Sequence, residues 1–162
     1  MVAEAGGTSD LAEEGVPYLS PEEGERLLVI ARRSLEETLG HGRVYEVDLA
    51  TLPENLRQPG ASFVTLMQEG QLRGCVGSAT AHKPLALDVR DNAVKAALAD
   101  PRFPPMTAEE LAITEIEVSV LTPLRPLHCA TPEELLEAIE VGRHGLLLLQ
   151  GRSRALLLPQ VW

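Results

Sequence analysis

The sequence predicts an α+β fold in which β-hairpins and a mixed sheet pack with helices. Three observations carry that prediction. Two paired strand patterns flank turn residues, Ser62–Met67 with Gln71–Gly77 and Leu146–Leu149 with Ala155–Leu158. Helix-start signals lie between them without the regular strand–helix alternation of a parallel sheet. The chain also has 162 residues, 44% of them hydrophobic, enough for one globular domain or two small ones.

Residues 1–19 are small, acidic and glycine-containing, with no periodic apolar pattern, and are expected to form a disordered acidic leader. Residues 20–162 are expected to form the folded domain. Ser20 caps the first helix, Pro21 suits its first position and Glu23 completes a capping box. Leu27, Leu28, Ala31, Leu35 and Leu39 recur at helical spacing until Gly40 closes the helix. A Pro- and Gly-punctuated stretch from Pro53 to Gly60 leads into the first hairpin, whose turn is Glu69-Gly70.

Pro84 opens a second helix with Leu85, Val89, Ala93, Ala96 and Ala97 on one side. It must stop at Asp100, because the residue before a proline is pushed out of helical geometry. Thr107-Ala108-Glu109-Glu110 is a second capping box, predicting a short helix through Leu111. Ile116, Val118 and Val120 alternate with Glu117 and Ser119 as a strand with one apolar face. Thr131-Pro132-Glu133-Glu134 starts another helix, and the second hairpin turns at Gly151.

The formal net charge is −10, and no basic cluster exceeds Arg32-Arg33, so a nucleic-acid partner is not expected. No apolar run approaches the roughly 20 residues that span a bilayer, and the N-terminus has no signal pattern. Two cysteines far apart make no disulfide framework, which suits a reducing cytoplasm. His41, His82 and His128 have no partner at metal-ligand spacing. Cys75 with His82 is too small a set for structural zinc, so no metal is expected and no cofactor is named.

The segment Leu72-Arg73-Gly74-Cys75-Val76-Gly77 carries the most chemistry. On a regular strand, residues two apart share a face, so Arg73 and Cys75 are expected on one side and Leu72 and Val76 on the other. Gly77 would leave the Arg73–Cys75 face uncrowded. A guanidinium cannot shed its charge, so Arg73 needs solvent, a ligand anion or a carboxylate; Glu117 and Asp100 are the expected partners. A cation near Cys75 favours thiolate, and His144, within Gly142-Arg143-His144-Gly145, is the available base. The plainer readings are a small buried thiol for Cys75, a turn-stabilising role for His144, and a helix-terminating role for Asp100-Pro101-Arg102-Phe103, with Arg102 near the negative end of the helix.

In order along the chain, Leu72–Gly77, Asp100–Met106, Glu110-Leu111, Val118–Thr122, Val141–Gly145 and Leu158–Val161 resemble the AMMECR domain family. Its microbial members are called protein A of the AmmeMemoRadiSam system. The resemblance covers roughly Ser20 to Val161 and implies an α+β fold with a larger and a smaller subdomain and a cleft between them. It implies no established activity, but an association with a Memo-like protein and a radical S-adenosylmethionine enzyme in a modification pathway. Family members usually continue past Pro159-Gln160-Val161. The resemblance therefore also implies that the family's C-terminal segment is lacking here, exposing a surface that Trp162 could partly plug.

The leading expectation is a ligand- or partner-binding component whose cleft is bordered by Arg73, Gly74, Cys75, Gly77, Arg102 and His144. One alternative is a cysteine-dependent hydrolase or transferase using Cys75 with His144. Another is an interaction scaffold without chemistry.

Overall fold

A computed structural model of the chain describes residues 19–142, 144–151 and 153–159. The expected leader, apart from Leu19, and the expected role of Trp162 lie outside the described residues. The described chain forms two compact units, Leu19–Val120 and a smaller one that begins at Leu121.

In the larger unit, α1 (Pro21–Leu35) begins as the sequence predicts. Ser20 Oγ accepts the Glu23 N–H at 3.2 Å, and Glu23 Oε2 accepts the Ser20 N–H at 2.8 Å. Leu27, Ile30, Ala31, Ser34 and Leu35 face inward at helical spacing. The helix loosens into a π-helical turn over Glu36–Gly40. A short helix, α2 (Glu54–Arg57), then buries Leu56 just before the sheet starts.

The sheet is built on β1 (Pro59–Gln68), flanked by β2 (Gln71–Gly77) on one edge. The two-residue β3 (Lys83–Pro84) and β4 (Thr114–Leu121) also pair with β1. Glu69 and Gly70 both adopt positive φ, 51° and 74°, the geometry a two-residue hairpin requires. On β1, Val64 and Leu66 point into the core, while Phe63, Thr65 and Met67 occupy the other face.

Helix α3 (Leu85–Leu98) crosses β1 and β2 and also packs on α1. Its inward residues are largely alanines, Ala86, Ala93, Ala96 and Ala97, which lets the helix approach the sheet closely. Gly74 completes that fit, because a Cβ there would overlap the Ala96 carbonyl oxygen. The core gathers Leu27, Leu35, Leu56, Val64, Leu66, Val89, Ala93 and Ala96 between α1, α3 and the sheet.

One buried polar cluster joins the same layers. Asp88 on α3 accepts from the Ser62 N–H (2.9 Å), Ser62 Oγ (2.7 Å), Asn92 Nδ2 (2.9 Å) and Ser78 Oγ (2.8 Å). Ser62 of β1 supplies two of the donors, and α3 itself and the loop after β2 supply one each, so this carboxylate fixes the helix against the strands.

The second capping box forms and introduces the expected short helix as a single 3-10 turn, Glu110–Ile113, which includes Leu111. The chain must leave at once for β4. Arg32 of α1 holds that exit, donating to the carbonyls of Leu111 (2.8 Å) and Thr114 (2.7 Å).

In the smaller unit, Thr131 caps α4 (Pro132–Ala138), accepting the Glu134 N–H at 3.2 Å. β5 (Leu146–Gln150) and β6 (Ser153–Leu157) form the second predicted hairpin. Among the described residues, no helix is long and apolar enough to cross a membrane.

Candidate functional site

The β1–β2 ladder breaks at the residues singled out in the sequence. Leu66 lies opposite Gly74 and Met67 opposite Leu72, leaving Arg73 as an extra residue in a β-bulge. This corrects the expected face assignment. Cys75 lies opposite Thr65 and Val76 opposite core-facing Val64, as regular alternation demands. Leu72, however, is carried by the bulge to the face of Met67 and Cys75, and it is exposed. Gly77 is also not bare space: the Phe63 ring occupies the position a side chain there would take.

The bulge aims Arg73 at the Asp100–Glu110 connection. Its Nε donates to Glu110 Oε1 at 2.8 Å, and Nη2 donates to Glu110 Oε2 (3.2 Å) and the Pro104 carbonyl (3.0 Å). Nη1 is buried and has no hydrogen-bond partner among the described residues. The carboxylate that Arg73 needs is therefore Glu110, not Glu117 or Asp100. The Glu110 carboxylate serves twice, since Oε2 also accepts the Thr107 N–H at 2.8 Å.

Asp100 takes a different partner. Arg102 grips it with two parallel bonds, Nε to Oδ1 at 2.9 Å and Nη2 to Oδ2 at 2.7 Å. Asp100 Oδ2 also accepts the Cys75 N–H at 2.8 Å, and Arg102 Nη2 donates to the Cys75 carbonyl at 3.3 Å. β2 is the edge of the sheet, so this ion pair takes the place of a neighbouring strand at Cys75. Phe103 lies beside both cations, 6.0 Å from the Arg73 guanidinium carbon and 5.6 Å from that of Arg102. Beyond it, the Met106 N–H returns to the Ala97 carbonyl at 2.9 Å and its side chain is buried.

The outcome is a rigid ledge. Residues 100–106 are pinned at both ends, while Pro101, Arg102, Pro104 and Pro105 remain exposed. Asp100 is buried, yet the side chain of its partner Arg102 is 54% exposed. The Arg102 hydrogen bonds hold the Asp100 carboxyl well below the usual carboxylate range, aided by the Cys75 and Arg102 N–H groups and opposed by burial. The Arg73 hydrogen bonds, with that of the Thr107 N–H, lower the Glu110 carboxyl from the ordinary 4.5 to about 2.

Because Glu110 is depressed on folding, the Arg73–Glu110 pair stabilises fully above about pH 4.5 and its contribution disappears as pH falls towards about 2. Glu110→Gln is thus expected to lower the unfolding midpoint at pH 7 and to converge on the wild type near pH 2. Thermal unfolding across that range checks it; a pH-independent difference would contradict it.

The Cys75 thiol is half-buried on the face opposite the core. Its Sγ accepts from Thr65 Oγ1 at 3.4 Å, a donor rather than a base. His144 belongs to the smaller unit, whereas Cys75 belongs to the larger. There the His144 N–H donates to the Glu140 carbonyl at 2.9 Å, and Nδ1 accepts the Glu140 N–H at 3.0 Å. Gly142, two residues before it, has φ +83°. Of the residues expected to line one cleft, Arg73, Gly74, Cys75, Gly77 and Arg102 share β2 or the ledge against it. Among the described residues, no group of three or more His, Cys, Asp or Glu side chains could hold a metal ion.

Comparison with known proteins agrees with the motifs. The AMMECR1 family model matches residues 28–162. A protein of Methanothermobacter thermautotrophicus is 44% identical over 143 residues, covering 88% of this chain and 74% of its own length. One from Thermofilum pendens is 44% identical over 153 residues, covering 88% and 71%. The crystal structure of an uncharacterized protein from Pyrococcus horikoshii superposes with a TM-score of 0.83 at 40% identity, over 88% of this chain and 72% of that one. The chain belongs to the AMMECR1 family.

Proposed function

We infer that this chain is a non-catalytic binding component of a cytoplasmic modification pathway, engaging a Memo-like protein or a radical S-adenosylmethionine enzyme through the Asp100–Met106 ledge. One observation carries the reading: paired charges and backbone bonds fix an exposed, proline-rich loop against the sheet edge. Desolvated ion pairs add little to stability compared with apolar packing, but they fix geometry. A loop already held in one conformation loses less entropy when a partner arrives. Arg102 and Phe103 are also residue types that dominate binding at interfaces.

The cysteine-dependent alternative needs a base at Cys75 Sγ. The neighbour that the larger unit supplies is a hydroxyl donor. The binding reading needs no such step. Both cysteines are unpaired, which suits a reducing compartment.

Size-exclusion chromatography of the purified chain with a Memo-like protein and a radical S-adenosylmethionine enzyme from the same organism tests this. A co-eluting complex is expected with wild type, and none with Arg102→Ala or Phe103→Ala. Co-elution of those folded variants, or no complex with wild type, would contradict the ledge as the binding surface.

A further inference from the structure

The backbone of the ledge restricts what can bind it. Asp100-Pro101-Arg102-Phe103 is a β-turn with proline at its second position, closed by the Phe103 N–H donating to the Asp100 carbonyl at 3.2 Å. The Arg102 N–H donates to Asp100 Oδ1 at 3.1 Å. The Met106 N–H is taken by the Ala97 carbonyl and the Thr107 N–H by Glu110 Oε2. Pro101, Pro104 and Pro105 have no N–H at all. From Pro101 to Thr107, every backbone donor is therefore satisfied inside the larger unit.

The acceptors are in the opposite state. The carbonyls of Pro101, Arg102, Phe103 and Pro105 accept no hydrogen bond among the described residues, whereas that of Pro104 accepts from Arg73 Nη2. Phe103 and Pro104 each precede a proline, which favours extended, polyproline-type backbone over this run. Pro104 and Pro105 are exposed, as is Arg102, whose Nη1 makes none of the bonds to Asp100 or Cys75.

A surface with acceptors but no backbone donors cannot take an added strand, because a ladder needs both. Its partner has to bring donors mounted on apolar surface that packs against proline rings. Tryptophan and tyrosine are the side chains that combine the two.

We propose that the ledge docks into a partner's cleft lined by Trp or Tyr side chains. Their rings pack on Pro104 and Pro105, and their indole N–H or phenolic O–H groups donate to the ledge carbonyls. An acceptor oxygen of the partner meets Arg102 Nη1 and fixes the direction in which the run lies. The proline backbone is set in advance, so little entropy is lost on docking. This inference rests on the ledge being the binding surface and names the chemistry of what binds it.

Short peptides selected from a random displayed library on the intact chain, then synthesised, test the proposal. The expected result is a consensus carrying Trp or Tyr. Replacing Tyr by Phe, or methylating the indole nitrogen of Trp, keeps the ring, removes the donor and is expected to weaken binding about threefold to tenfold. Pro104→Ala and Pro105→Ala, with circular dichroism unchanged, are each expected to weaken it at least about threefold. A selection without binders, or peptides that keep full affinity after loss of the donor or in both proline variants, would overturn the proposal. Phe103→Ala separates this inference from the ledge reading. Peptides that lack Trp and Tyr but lose binding in Phe103→Ala would overturn the inference and leave the ledge as the binding surface. Peptides that bind Phe103→Ala, Pro104→Ala and Pro105→Ala as tightly as wild type would overturn both.

Discussion

Gly74→Ala is expected to cost at least about 3 kcal/mol and to lower the unfolding midpoint by roughly 10 °C or more. The added methyl would overlap the Ala96 carbonyl oxygen of α3. No rotamer change relieves that overlap, because the obstacle is backbone within a helix. Either α3 lifts from the sheet, opening a core that includes Val89, Ala93 and Ala96, or β2 shifts and the bulge that aims Arg73 is lost. Gly24→Ala is the control, since its Cβ enters open space and α1 gains helix propensity. Thermal unfolding followed by circular dichroism separates them: Gly74→Ala falls sharply and Gly24→Ala holds or rises. A Gly74→Ala midpoint within a few degrees of wild type would contradict the close helix–strand approach.

Asp88→Ala carries the second large effect, roughly 3–5 kcal/mol of stability. Removing the carboxylate strands the Ser62 N–H, two hydroxyls and the Asn92 amide in a buried site. Each buried unsatisfied group costs about 1–3 kcal/mol, and the total is less than the sum because some donors find other acceptors. Asn92 Nδ2, for instance, also reaches the Ser62 carbonyl at 3.1 Å. Asp88→Asn keeps the volume and one acceptor, and its amide can donate to Ser78 Oγ, so it is expected to cost about half as much. Denaturant unfolding of both variants checks this, and an equal loss in the two would contradict the acceptor role.

Most of the fold was legible in the sequence because the elements carry local signals. Ser20-Pro21-Glu22-Glu23 and Thr131-Pro132-Glu133-Glu134 announce their helices, and Glu69-Gly70 and Gly151 announce the hairpins. The short α2 and the two-residue β3 contain too few residues to show a period. Thr107–Glu110 announces its short helix but not the type, because a capping box reports where a helix can begin and the turn that follows here is 3-10.

At the candidate site, residue types were legible but partners were not. The bulge moved Leu72 to the open face, and a periodic reading cannot see a one-residue insertion. Gly74 inside a strand was the available hint, because such glycines mark bulges and close backbone approach. Glu110 looked committed to its own helix start, yet its carboxylate had a second side free for Arg73. Asp100 and Arg102, two residues apart, satisfy each other and the edge of β2 at once. Nothing in the periodicity of α3 points to that arrangement.

The central claim is that Cys75 serves through its backbone, anchoring a ledge that binds through Arg102 and Phe103. Titrating a fluorescently labelled Memo-like protein with Cys75→Ser and with Phe103→Ala tests it most directly. Cys75→Ser keeps the N–H and carbonyl that meet Asp100 and Arg102, so its affinity is expected to stay within about twofold of wild type, while Phe103→Ala loses at least about tenfold. The reverse order, with binding lost in Cys75→Ser and kept in Phe103→Ala, would contradict the account.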